Sequence, residues 1–144
     1  MLHLPDGLSQ DSLHMLMTCE PQIKEIGDLI SRTDVLLFGI GTAMRMADQR
    51  HIADDVRKQL VDNHAVGEAL GQYCDMDGKL IYSTNNIGLS LPDVAKVPNV
   101  IAVAGGQEKA SAIIGVMRAC QKGILIIDEQ AAEGMRQLLQ ISAL

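Results

Sequence analysis

Two glycines followed by a lysine are the feature of this 144-residue sequence with the clearest potential for ligand chemistry. An apolar run over residues 100–104 stops at Gly105-Gly106, and Lys109 follows three residues later. Apolar residues then recur at positions 110, 113, 114 and 117, which is the spacing of one face of a helix. The pattern predicts a strand, a tight turn and a helix.

The predicted turn has the chemistry of an anion site. The first N–H groups of a helix lack intrahelical partners and carry partial positive charge, and glycine lets an anion approach the backbone closely. Lys109 adds a full positive charge, so a phosphate is the ligand that this pattern favours. The alternative is that Gly105-Gly106 only turns a strand into a packing helix and that Lys109 is an ordinary solvated side chain.

Glu68 and Arg50 are two further candidate binding residues. Glu68 lies among small and apolar residues (66–71), where a buried carboxylate needs hydrogen bonds. A sugar hydroxyl or a backbone N–H would supply such a bond. Arg50 would add a second cationic contact, although an arginine at the end of a helix also interacts favourably with the helix dipole.

A second glycine turn and a pair of acids are predicted at the same edge of a sheet. The apolar run 34–38 leads into Gly39-Ile40-Gly41, and the run 123–127 ends at Asp128-Glu129. Because parallel strands bind ligands beyond their carboxyl ends, we expect these turns to share one rim with Gly105-Gly106.

Two other functions for these turns are rejected. The Gly39-Ile40-Gly41 turn is no dinucleotide fingerprint, because the third glycine of that motif is missing and Met44 stands at its position. Asp128 and Glu129 are adjacent and point to opposite faces of a strand, which argues against a paired-carboxylate mechanism. The plainer role of Asp128 is to cap the closing helix.

The elements that position these residues alternate between helices and strands, which predicts an α/β domain with a parallel sheet. Continuous apolar runs predict strands buried on both faces. Asp77-Gly78 between two strand-like runs predicts an inserted antiparallel hairpin. A turn at Pro5-Asp6-Gly7, a helix from 54 to 62 and a short Ser90-capped helix are also expected.

The length, composition and net charge of the chain limit the kinds of function it can have. The length and the 47 % hydrophobic content predict one domain over residues 1–144. The net charge of −6 argues against nucleic-acid binding by this segment itself. No apolar stretch approaches the roughly 20 residues of a membrane span, and three widely spaced cysteines predict free thiols in the cytoplasm. The four histidines have no metal-ligand spacing, so we assign no metal and no cofactor.

Several ordered motifs across nearly the whole chain resemble the sugar-binding domain of SorC-type bacterial transcriptional regulators. These motifs occupy residues 36–43, 66–71, 75–79, 87–89, 100–110 and 126–131. The resemblance implies a Rossmann-like, non-catalytic effector domain, similar in fold to ribose-5-phosphate isomerase and glucosamine-6-phosphate deaminase. It also implies a homo-oligomeric regulator of carbohydrate metabolism that senses a phosphorylated sugar.

The resemblance also implies a role for each candidate residue. Lys109 with Gly105-Gly106 would hold a phosphate, Glu68 would bind sugar hydroxyls, and Arg50 would add a polar or phosphate contact. Gln49 precedes Arg50 here, whereas a similar member of the family carries an arginine pair near this point. In glycolytic members the implied effector is fructose 1,6-bisphosphate. The alternative is a sugar-phosphate isomerase or deaminase with Glu68 or Asp128 as general base.

The family places two further parts before the region that this chain resembles. They are a helix-turn-helix DNA-binding domain and the first half of the effector domain, and neither has a counterpart before Met1. The chain is therefore expected to be the C-terminal part of an effector domain. Operator DNA would be bound only through the missing DNA-binding domain, and one wall of the ligand site would also be missing.

Overall fold

A computed structural model describes residues 8–140, in which helices alternate with the strands of two sheets. The helices are α1 (Gln10–Cys19), α2 (Pro21–Ser31), α3 (Ala43–Gln49), α4 (Asp54–Asp62), α5 (Ala110–Cys120) and α6 (Glu129–Leu138). The strands are β1 (Val35–Gly39), β2 (Gly41–Thr42), β3 (Gly67–Ala69), β4 (Gln72–Cys74), β5 (Leu80–Ser83), β6 (Asn99–Ala104) and β7 (Ile124–Ile127). The predicted turn at Pro5-Asp6-Gly7 lies outside the described residues.

The parallel sheet has the strand order β1-β6-β7. Its register pairs Phe38 with Ala102 and Val103 with Ile126, so the carboxyl ends of the three strands meet at one edge. The three strands form where the apolar runs predicted them, and each is four to six residues long. The predicted α/β class with a helix-flanked parallel sheet is confirmed.

The prediction that the parallel strands are buried on both faces is wrong. Burial alternates along β1, where Val35 and Leu37 have exposed fractions of 59 % and 66 % while Phe38 is buried. Ile124 and Ile126 of β7 are exposed in the same way. The cause is that, within residues 8–140, one face of the sheet packs into the core and the other has no helix over it.

The antiparallel sheet is larger than the predicted hairpin. Its strand order is β2-β3-β4-β5, and the Asp77-Gly78 turn joins β4 to β5 as predicted. Asp75 stabilises this turn, because its Oδ1 accepts hydrogen bonds from the N–H groups of Asp77 and Lys79, both at 2.9 Å. The additional hairpin, between β3 and β4, turns at residues 70–71.

Helix α5 packs between the two sheets and carries much of the core. Its apolar spacing predicted one buried face, whereas Ala112, Ile113 and Val116 are all fully buried because both sheets contact the helix. Gly67 of β3 permits this packing, since a Cβ there would come within 2.8 Å of the Ala112 carbonyl oxygen. The helix thereby fixes the end of β6 relative to the antiparallel sheet.

The other helices follow their sequence signals with one difference. Helix α4 spans the predicted residues, and Ser9 caps α1 by accepting a hydrogen bond from the Ser12 N–H. The Ser90-capped segment Leu91–Lys96 is a 3₁₀ helix rather than an α-helix. No helix within residues 8–140 is long and apolar enough to cross a membrane.

Candidate functional site

A cleft of about 450 Å³ opens at the carboxyl end of β1. Its floor is the segment 38–42, which contains the Gly39-Ile40-Gly41 turn, and helix α3 forms one wall. Lys109 also lines the cleft, from the end of a 3₁₀ turn that joins β6 to α5. The lining residues with polar side chains are Thr42, Arg45, Gln49, Arg50, Glu68 and Lys109. Three of the five predicted site residues therefore meet in one cleft.

Glu68 and Arg50 form an ion pair inside this cleft. The Nη2 atom of Arg50 lies 3.2 Å from Oε1 of Glu68, and the backbone N–H of Gly71 donates to the same oxygen at 2.7 Å. The Glu68 residue is 3 % exposed, so its charge depends on these two donors. The sequence left a backbone N–H or a sugar hydroxyl as the donor to Glu68. Both alternatives remain open, because the Gly71 N–H binds Oε1 while Oε2 is available to a ligand.

The second carboxylate oxygen of Glu68 faces the floor of the cleft. Within residues 8–140, Oε2 accepts no hydrogen bond, and it lies 3.8 Å from the position that a Cβ on Gly41 would occupy. Such a Cβ would also collide with the side chain of Met46. Gly41 therefore leaves room beside an acceptor that can bind a ligand hydroxyl.

Lys109 and Arg45 are the remaining cations of the cleft. Among the described residues, no hydrogen bond or ion pair engages the side chain of Lys109 or Arg45. Arg50 balances Glu68, so Lys109 and Arg45 leave the cleft with net positive charge in a chain whose net charge is −6. This concentration of positive charge suits an anionic ligand. The sequence analysis did not propose Arg45 as a binding residue. The signal it missed is the spacing of four residues between Arg45 and Gln49, which places both on one face of a helix.

Gly105 and Gly106 lie beside the cleft and already hold a carboxylate. The N–H of Gly106 donates to both oxygens of Asp128, at 2.9 and 3.1 Å, and Oδ1 also accepts from the N–H of Ala131 at 2.8 Å. A Cβ on Gly105 would come within 2.6 Å of Asp128 Oδ2. The predicted cap of α6 by Asp128 is confirmed. Ligand contact by the two glycines stays a prediction.

Tyr73 is a residue of this site that the sequence did not indicate. It pairs with Glu68 across β3 and β4, it is fully buried, and its hydroxyl has no partner among the described residues. Burial and the Glu68 carboxylate raise the pKa of Tyr73 to about 12, which keeps the phenol protonated. A lone tyrosine between Gln72 and Cys74 gives no sequence signal for such a position.

A larger cavity of about 570 Å³ lies between α1, α2 and residues 86–97. Its two charged residues, Asp93 and Lys96, pair with each other at 2.7 Å, and this bond holds the pKa of Asp93 at about 2. It contains none of the predicted site residues. The cleft beside β1 is therefore the better candidate site despite its smaller volume.

Within residues 8–140, no group of three or more His, Cys, Asp or Glu side chains is arranged to hold a metal ion.

Comparisons with known proteins identify the family. A family model described as a sugar-binding domain matches residues 1–137. The chain belongs to this sugar-binding domain family. It is 38 % identical over 133 residues to the central glycolytic genes regulator of Priestia megaterium and 36 % identical over 133 residues to that of Bacillus subtilis.

A solved SorC family transcriptional regulator from Enterococcus faecalis has the same fold. It superposes with a TM-score of 0.80 at 38 % identity over 89 % of this chain and 52 % of its own. The resemblance to SorC-type regulators is thus confirmed. Each of the two glycolytic regulators aligns with 92 % of this chain, which spans 39 % of their own length.

Proposed function

We propose that the cleft binds a phosphorylated sugar and that the chain is the effector-sensing domain of a transcriptional regulator of carbohydrate metabolism. The observation that carries this proposal is the combination of two unpaired cations, Lys109 and Arg45, with one available carboxylate oxygen on Glu68. Cations bind phosphate strongly, whereas a carboxylate accepts hydrogen bonds from sugar hydroxyls. A phosphorylated sugar presents both groups together.

Fructose 1,6-bisphosphate is the effector that we infer within this class. The similarity to two regulators of central glycolytic genes supports a glycolytic intermediate. A bisphosphate also suits a cleft that is lined by the three cations Arg45, Arg50 and Lys109. Gly105 and Gly106 would support Lys109 by holding its loop. They would contact a phosphate if the hydrogen bond from the Gly106 N–H to the Asp128 carboxylate broke.

The regulator would act in the cytoplasm as a homo-oligomer and would contact operator DNA through another part of the protein. The net charge of −6 favours this division, because DNA affinity depends on phosphate neutralisation by basic side chains. Ligand binding would change DNA binding only if the ligand prefers one of two states of the protein.

A catalytic role is less well supported. Of the two candidate general bases, Asp128 accepts hydrogen bonds from backbone N–H groups at both carboxylate oxygens, whereas Glu68 keeps Oε2 available among the described residues. The similarity to transcriptional regulators, rather than the state of Glu68, favours a binding role. An enzyme of the isomerase or deaminase type needs a base free to take a proton from its substrate. Turnover of ribose 5-phosphate or glucosamine 6-phosphate by the purified protein would overturn this conclusion.

Calorimetric titration of the full-length encoded protein tests the proposal. The ligands are fructose 1,6-bisphosphate, fructose 6-phosphate, fructose and inorganic phosphate. We expect both sugar phosphates to bind more tightly than fructose or phosphate alone, because only they engage cations and Glu68 together. Equal affinities for fructose and its phosphates would contradict the proposal.

A further inference from the structure

Two buried polar atoms beside Glu68 have no hydrogen-bond partner within the described part of the chain. They are Nε of Arg50 and the hydroxyl oxygen of Tyr73. Buried polar groups nearly always have a partner, so each exception calls for an explanation. Both atoms belong to residues adjoining one carboxylate, which suggests that their partners appear in a second arrangement of this site.

Tyr73 is placed to reach Glu68. The two residues are directly paired in the antiparallel register of β3 and β4, so their side chains leave the sheet on the same face. The ring of Tyr73 packs with Ala43, Ala47 and Leu60 beneath helices α3 and α4. The charges of Glu68 and Arg50 both act on its phenol. The hydroxyl is therefore buried on the face of the sheet that carries Glu68, outside the lining of the cleft.

A phosphorylated ligand would compete with Glu68 for Arg50. The Arg50 side chain is 28 % exposed and lines the cleft, whereas the Glu68 side chain is 4 % exposed. A phosphate prefers the fork of an arginine to a single donor, so Arg50 is the member of the pair that can turn. Glu68 would then keep a buried negative charge with the Gly71 N–H as its remaining protein donor. Such a charge requires a replacement donor.

We propose that Tyr73 is a positioning residue, which donates its hydroxyl to Glu68 when the ligand draws Arg50 away. This inference rests on the proposed function, because it requires a phosphorylated ligand in the cleft. Tyr73 itself never touches that ligand. It keeps Glu68 charged and oriented, so that Oε2 can accept a sugar hydroxyl while Arg50 binds phosphate.

The test compares Tyr73→Phe with the native full-length protein by titration with fructose 1,6-bisphosphate and by thermal unfolding without ligand. We expect the affinity to fall about tenfold, the effect of one hydrogen bond to a charged group. The unfolding midpoint should stay the same or rise, because the hydroxyl is unpaired in the free protein. Tyr82→Phe is the matched control, since its ring lies 6.0 Å from that of Tyr73 and does not line the cleft.

A second comparison, made in the Glu68→Gln variant, separates the positioning role of Tyr73 from a purely structural role. In Glu68→Gln the buried charge is gone, so adding Tyr73→Phe should leave the affinity unchanged. A lower unfolding midpoint for Tyr73→Phe, an unchanged affinity, or the same loss in the Glu68→Gln background would each overturn the inference. If the native protein bound no sugar phosphate, the proposed function itself would fail, which is a distinguishable result.

Discussion

Arg50 and Glu68 are eighteen residues apart in sequence and 3.2 Å apart in the cleft. Each was a candidate for its own reason, since a carboxylate among small residues and an arginine at a helix end both call for partners. Their pairing required the strand register that brings β3 beneath α3. Residue type therefore predicts which groups matter here, whereas the sheet determines which of them meet.

Arg45 provides a prediction at the residue scale. Arg45→Gln should weaken fructose 1,6-bisphosphate binding about tenfold at low salt, because it removes an unpaired charge from the cleft wall. The difference should shrink as salt rises, since Arg45 is exposed and exposed charges are screened. Calorimetric titration at two ionic strengths measures both effects.

Arg32→Gln is the control for this charge removal. Arg32 is an exposed residue at the end of α2, and its Nε donates to the Asp28 carbonyl oxygen rather than to the cleft. Its replacement should leave the affinity unchanged. An equal loss in both variants would show that Arg45 acts only through the overall charge of the protein.

At the scale of elements, the loop between β6 and α5 depends on Asp128. Sequence reasoning made Gly105-Gly106 an anion site, and the anion found there is a carboxylate of the same chain. The physical argument for an exposed backbone donor was sound, but it could not exclude a local acceptor. Asp128 stands 22 residues later in sequence, and only the pairing of β6 with β7 brings it to the loop.

Asp128→Ala should lower the free energy of unfolding by about 2 kcal/mol, because it removes the cap of α6 and the bond to Gly106. Urea denaturation measures the change. The control is Glu129→Ala, which removes an exposed acid from the same helix turn and should cost below about 1 kcal/mol. Equal losses in the two variants would mean that the charge near the helix end, rather than the bonds, sets the stability.

Sequence patterns predicted only one of the two hairpins that join β3, β4 and β5. Asp77-Gly78 predicted one hairpin because that dipeptide tolerates positive φ. The preceding turn has Leu70 at φ 55° and Gly71 at φ 78°, and leucine gives no signal for a left-handed position. Tertiary bonds hold it, since Glu68 Oε1 accepts from the Gly71 N–H and Asn86 donates to the Leu70 carbonyl oxygen.

At the scale of the whole molecule, the parallel sheet has one buried face and one exposed face. One packs on α5, while the other exposes Val35, Leu37, Ile124 and Ile126 in the described part of the chain. Continuous apolar runs predicted burial of both faces, which is the rule for parallel sheets. The sequence could not reveal the difference, because the pattern reports which faces are apolar rather than which are covered.

Buried thiols give the whole domain a predicted pH dependence. Burial raises the pKa of Cys74 to about 12 and that of Cys120 to about 11, from 9.0. The folded state therefore holds these protons more tightly than the unfolded state. Stability should be constant below about pH 8 and should fall as pH rises from about 9 towards 11, by up to about 1.4 kcal/mol per pH unit for each thiol.

Urea denaturation at several pH values between about 7 and 10.5 checks this dependence. Cys120→Ala should make the alkaline loss of stability shallower, whereas Cys19→Ser should not change it, because Cys19 is exposed. Stability that stayed constant to pH 10.5 would contradict the prediction.

Titration of Lys109→Ala with fructose 1,6-bisphosphate tests the central claim most directly. Lys109 is the cleft cation that the sequence, the family resemblance and the geometry all indicate. We predict that its loss weakens binding at least about tenfold, while Lys79→Ala, which removes the same charge from an exposed position at the β4–β5 hairpin, leaves the affinity unchanged. Equal affinities for the native protein and Lys109→Ala would contradict the account.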